Sequence, residues 1–214
     1  MEDSNQNATM TDSNPSAPTL RSPAVWLSLA VAGGVAAAWR LQRPMVDQTE
    51  CVHIRAHPET VWAYISDFEN HWEPSNPAHN GTRVLDDPKE PLRDGLRFTQ
   101  TEDVGGLTGT LQAVVHDVIP ERQFSWTAEA TYRLAGMSIT VEEGGMVELT
   151  PTAEGTALSH RVWSRFPRSL AGTIGGLFLV AFGGIENDAA EHTRVELEYF
   201  KRQIEAGHER THAE

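Results

Sequence analysis

The chain has 214 residues, 39% hydrophobic and 22% charged, with a formal net charge of −13. That length suffices for one domain with a sizeable core plus an extension. An acidic balance without a positive stripe argues against binding a nucleic-acid backbone, so no nucleic-acid partner is expected.

Residues 1–22 are rich in Ser, Asn, Pro and Thr and nearly free of apolar side chains. They cannot bury enough surface to order themselves and read as a disordered tail. Residues 23–41 follow, uncharged from Pro23 to Trp39, with Trp26 and Trp39 near the ends of that run, Arg21 before it, and Arg40 and Arg43 after it. This pattern predicts a single membrane-spanning hydrophobic helix. A cleaved export signal and a helix packed on the domain or in an oligomer remain alternatives. If it spans, the two arginines after it place the C-terminal domain in the cytoplasm. The alternative localisation is soluble and cytoplasmic. Residues 42–48, with Pro44, read as a linker.

The folded domain is expected over 49–206. TECVHIRA alternates, setting Cys51, His53 and Arg55 opposite Val52, Ile54 and Ala56, as in a half-buried strand. Cys51 is the only cysteine, which excludes an intrachain disulfide and Cys-based metal centres. Among strand residues it reads as a small buried hydrophobe. Pro58 and Glu59 suit a helix start, and Val61, Trp62 and Ile65 share one helical face. A second short helix is expected to end near Trp72, followed by a loop.

A meander of strands comes next: TRVLDD, LRFTQTEDV, LTGTLQAVVHDVIP, RQFSWTAEATYRLAG, MSITVEE, GMVELTPT and ALSHRVWSRFP, punctuated by Gly and Pro turns. Gly144-Gly145 reads as one of those turns. Such spacing predicts a strongly curved antiparallel sheet. The uncharged run from Ser169 to Ile185 carries five glycines within Gly172–Gly184. It reads as a segment closing over or lining an apolar cavity, with a second span or a bilayer-touching patch as alternatives. Gly183 to Glu205 has helical periodicity in Ile185, Ala189, Ala190, Val195, Tyr199 or Phe200, and Ile204. Its charged and polar residues, His192 and Glu196 among them, read mostly as a solvated face. Residues 207–214 form a polar tail.

The segment VHIRAHPETVWAYISDFENHWEPSNP, with Pro58, Glu59, Val61, Trp62, Ile65, Asp67 and Trp72, resembles the opening signature of the START-like (SRPBCC) superfamily, in its polyketide cyclase/dehydrase and lipid-transport branch. Gly95 and Phe98, and the set Val115, Pro120, Arg122, Phe124 and Trp126, are similar as well. The resemblance covers about residues 49–206. It implies an α+β helix-grip fold: a curved antiparallel sheet of six to seven strands around a long C-terminal helix, two short helices after the first strand, and a ligand cavity between helix and sheet. Fold alone does not settle activity.

The cavity candidates are Trp62, Trp72, Phe98, Trp126, His160, Trp163, Phe178 and Phe182, a set that implies an apolar ligand. His160, mid-strand, is the one weak candidate for acid/base work. Glu102, Glu129, Glu142 and Glu148 lie on strands and could face inward. Glu148 and Arg161 could pair across adjacent strands. No HExxH spacing, nucleophile elbow or phosphate loop occurs, so no metal site and no cofactor are expected. The leading functional expectation is binding, with possible transport, of a lipid-like, quinone-like or polyketide-like molecule near a membrane. A cyclase or dehydratase on such a substrate, and a membrane-tethered interaction module, are the alternatives. The oligomeric state is open.

Overall fold

A computed structural model describes residues 46–87, 90–104, 107–134, 137–165 and 185–213, together with six positions between 26 and 34. Two compact units divide the chain, Met1–Ala38 and Trp39–Glu214. In the first, Trp26, Leu27, Leu29, Ala30, Gly33 and Gly34 are helical, and Trp26, Leu27 and Leu29 are exposed. The rest of the expected span at 23–41 lies outside the described residues. Among the described residues no helix is long and apolar enough to cross a membrane.

The second unit opens with β1 (Val46–Ile54), which starts inside the expected linker. Val46, its first residue, is buried. Two short helices follow, α1 (Pro58–Ile65) and α2 (Phe68–His71), then a 3-10 turn at Glu73–Ser75. Pro58 stands in the first turn of α1, where its missing N–H costs nothing. Val61 and Ile65 are fully buried, worth about 1.5–3 kcal/mol each. Asp67 caps α2 by accepting the Asn70 N–H at 3.2 Å.

Six strands run on in sequence: β2 (His79–Val84), β3 (Arg97–Val104), β4 (Leu107–Ile119), β5 (Gln123–Leu134), β6 (Met137–Thr152) and β7 (Gly155–Arg165). They form an antiparallel meander, and β1 adds to its β7 end, giving the order β1-β7-β6-β5-β4-β3-β2. The last helix, α3 (Ile185–Ala213), packs chiefly along β1, with further contacts to β7, α1 and β3. Leu197, Phe200 and Ile204 are its buried apolar residues, joined to a core of Ile54, Phe68, Trp72, Phe124 and Leu158. This seven-stranded open sheet with a C-terminal helix and a few short helices is the expected helix-grip architecture.

Four local expectations are corrected. The helix continues to Ala213, through the region read as a polar tail. Cys51 is exposed, because alternation sets it on the face opposite the buried Ile54. Glu148 faces solvent; Arg161 pairs with Asp47 instead, Nε to Oδ1 at 2.7 Å and Nη2 to Oδ2 at 2.9 Å. Gly144-Gly145 is not a turn, since β6 runs straight through it. A Cβ at Gly144 would collide with the Trp163 indole, and one at Gly145 with the Trp126 indole. The two glycines give these rings a place to lie on the sheet.

Candidate functional site

Between the sheet and α3 lies a cavity of about 120 Å³. Its apolar wall carries Trp72, Phe98, Trp126 and Trp163, with Leu111 and Val141. Trp72 is held by donating its indole N–H to the Ile65 carbonyl at 2.8 Å and by stacking on Phe68 at 4.9 Å. Trp126 meets Phe98 edge-on at 6.3 Å. Of the eight residues expected to line a cavity, the structure thus brings together Trp72, Phe98, Trp126, His160 and Trp163. Trp62 packs edge-on against Phe124 at 6.0 Å, in the core. Phe178 and Phe182, with the glycine-rich run around them, lie outside the described residues.

The rest of the lining is polar, Glu102, Glu143, His160, His192 and Glu196 among it, and the sequence signalled little of it. Glu196 of α3 is buried, and its carboxylate gathers three imidazoles: His79 Nε2 and His192 Nε2 each stand 3.1 Å from Oε1, and His160 Nδ1 stands 3.3 Å from Oε2. The His160 approach is off-line for a hydrogen bond, so among the described residues neither of its ring nitrogens has a hydrogen-bond partner. Burial opposes charge on Glu196, but His192 and the other imidazoles hold its carboxyl well below the usual range. Burial likewise pushes His192 down, yet the carboxylates of Glu196, Glu102 and Glu143 outweigh it and lift the imidazole to about 9.

The Tyr132 hydroxyl lies 2.9 Å from Glu102 Oε1 and 2.9 Å from Glu143 Oε1. One phenol proton serves one of two carboxylates, so the trio needs a second proton. Burial, reinforced by the Glu102 charge, pushes Glu143 up to about 8. Burial and the same two carboxylates push the Tyr132 hydroxyl well above its ordinary value. Gln100 donates to Glu102 Oε2 at 3.1 Å and accepts from the Thr82 hydroxyl at 3.2 Å, extending the network along β2 and β3.

Local rules account for these positions. His79 and Glu102 are direct cross-strand partners in the β2–β3 register. His192 and Glu196 are one helical turn apart and project from the same face of α3. That face was expected to be solvated; Glu196 is 3% exposed. A signal for Glu143 was present, because it continues the buried phase of Ile139 and Val141 along β6. Of the four strand glutamates expected to be able to face inward, only Glu102 lines the cavity among the described residues. No Lys or Arg side chain lines it among the described residues.

A family model described as polyketide cyclase / dehydrase and lipid transport matches residues 45–205. No curated protein sequence matches the chain. Among solved structures, a conserved protein from Geobacillus kaustophilus superposes with a TM-score of 0.52 at 15% identity, covering 74% of this chain and 95% of that one. A protein from Rhizobium leguminosarum gives 0.51 at 14%, covering 75% and 95%. The di-domain ARO/CYC protein of the steffimycin biosynthetic pathway gives 0.53 at 13%, covering 87% of this chain and 61% of that one. At these identities the likeness is one of fold.

Proposed function

We propose, from the premise that the chain belongs to the polyketide cyclase / dehydrase and lipid transport family, that its cavity binds an apolar, ring-bearing or lipid-like small molecule with at least one oxygen function. The observation that carries this reading is the lining of one cavity by two kinds of side chain. Trp72, Phe98, Trp126 and Trp163 offer apolar surface, and Glu102, Glu143, His160, His192 and Glu196 add polar groups. Apolar lining with a few convergent polar groups is the ordinary make-up of a small-molecule site. The apolar part of the ligand rests on the indoles, and its carbonyl or hydroxyl oxygen turns to the polar groups.

A second reading, turnover of the cyclase or dehydrase kind, is favoured by one specific arrangement. Tyr132 and Glu143 together hold an extra proton within hydrogen-bond distance of the Glu102 carboxylate. A proton donor beside a carboxylate acceptor is what enolisation or loss of water from a β-hydroxy carbonyl compound requires. His160, the residue singled out from sequence, stands beside Glu196.

Native mass spectrometry and organic extraction of the purified protein test the binding reading. A co-purified apolar molecule, or displacement of an anilinonaphthalene sulfonate probe by members of a panel of fatty acids, quinones and aromatic polyketides, is the expected result. A protein that stays empty against the whole panel would overturn it. Conversion of a bound β-hydroxy carbonyl compound, abolished in Glu143→Gln but with binding retained, separates an enzyme from a carrier.

A further inference from the structure

We propose that His79, His192 and Glu102 form a binding site for one divalent transition-metal ion, open to the cavity. Three ligand atoms, one from each residue, lie within 4.8 Å of one another. The two Nε2 atoms are 3.0 Å apart, and His192 Nε2 is 3.8 Å from Glu102 Oε2. Donors about 2.1 Å from a common ion stand about 3.0 to 3.4 Å from their neighbours in octahedral or tetrahedral coordination. The two imidazole nitrogens already have that spacing, and the Glu102 carboxylate would draw in to complete it.

The tautomer of His79 supports the assignment. Its Nδ1 lies 2.7 Å from the Trp72 carbonyl oxygen, which can only accept, so Nδ1 carries the proton. In the neutral ring Nε2 is then a bare lone pair, and it points at Glu196 Oε1 and His192 Nε2. Three potential donor atoms converge there. A backbone carbonyl that fixes the outer ring nitrogen is also the usual support of a metal-bound histidine. Two imidazoles and a carboxylate suit Zn²⁺ or Fe²⁺ better than Mg²⁺ or Ca²⁺.

The surroundings complete the argument. Glu196 Oε1 stands 3.1 Å from both ligand nitrogens, on the side where the ion would sit, and is placed to serve as a fourth donor. Gln100 and Tyr132 hold the two oxygens of Glu102. The ligand positions come from two supports, the β2–β3 cross-strand pair and the buried face of α3, so the ion ties the helix to the sheet. Glu102 and His192 line the cavity, which leaves a coordination position facing the ligand space. Scattered over β2, β3 and α3, the three residues make no spacing motif, which is why sequence alone predicts no metal here. The site does not depend on what the cavity binds.

The test uses the full-length chain without an affinity tag, stripped with a chelator and titrated with Zn²⁺ alone and with Co²⁺ alone. Calorimetry and the Co²⁺ visible absorption are read, with circular dichroism confirming the fold. Expected is uptake of one ion per chain, with a Co²⁺ spectrum showing nitrogen ligation. Affinity falls about a hundredfold or more in His192→Gln and in Glu102→Gln, and about tenfold in Gln100→Leu, which removes only a support of Glu102. Failure of the folded wild type to bind either ion overturns the proposal. So does uptake that survives both ligand substitutions, which would place the ion on surface histidines. Should His192→Gln or Glu102→Gln fail to fold, Gln100→Leu and the wild-type Co²⁺ spectrum still decide the matter.

Discussion

The indole of Trp163 lies directly over Gly144, on the neighbouring strand, in the space where any larger residue would place its Cβ. The cavity owes part of its apolar wall to the absence of one methyl group. Gly144→Ala is expected to push Trp163 off the sheet, costing about 1–3 kcal/mol as an overpacked site does. The intrinsic fluorescence should shift, and affinity for an apolar probe should fall at least severalfold. Urea unfolding and a probe titration check both; unchanged binding by a stable variant would remove Trp163 from the ligand wall.

Tyr132→Phe deletes the one hydroxyl shared by Glu102 and Glu143. Both carboxylates stay buried without that donor, an expected cost of about 1–3 kcal/mol. The single oxygen atom removed leaves the packing of the ring intact, so chemical denaturation of this variant reports on the polar contact alone.

A pH dependence follows from Glu143. Its ordinary value is 4.5, and in the native protein it is pushed up to about 8, by burial first and the Glu102 charge second. Between these values the native state holds a proton that the unfolded chain has released. Stability from this group is therefore full below the lower value, declines as pH rises, and levels off above about 8. Glu143→Gln keeps an oxygen for the Tyr132 hydroxyl but cannot titrate. With a chelator present, the variant's urea midpoint should gain on the wild type as pH rises through this window. Parallel curves would contradict the assignment.

Glu205 titrates in the opposite sense. Burial raises its carboxyl, but the Arg55 backbone N–H at 2.9 Å and the Arg55 guanidinium at 3.4 Å outweigh that and hold it below its ordinary value. This contribution is present above the unfolded value and is lost as pH falls through the native one. Glu205→Gln should cost about 1 kcal/mol at neutral pH, and the deficit should vanish in acid. Denaturation at both ends of that range measures it.

How much of this was legible in the sequence depends on the scale of the contact. The fold was legible, because alternation in strands such as RQFSWTAEATYRL and the PETVWAYISDF helix signature are local. The aromatic wall was partly legible, because Phe98 and Trp126 sit in phase with buried neighbours. The polar lining was not. Charge on a helix usually marks its solvated face, and only the packing of α3 on the sheet turns His192 and Glu196 inward. Even so, Glu143 in phase with Ile139 and Val141 was a visible conflict between pattern and polarity. Such conflicts mark functional positions. Gly144-Gly145 misled for the opposite reason, since glycine marks both turns and close approaches.

The pairing of β1 with β7, and the packing of α3 along β1, bring the first and last elements of the domain together. The β2–β7 meander pairs strands that are consecutive in the chain, whereas seating β1 on β7 and α3 on β1 needs contacts between the domain's two ends. The sheet by itself brings His79 to Glu102, and Glu102 to Glu143 through Tyr132. Only α3 adds His192 and Glu196, so shortening the chain before His192 should leave the strands able to pair but remove the carboxylate on which the three imidazoles converge.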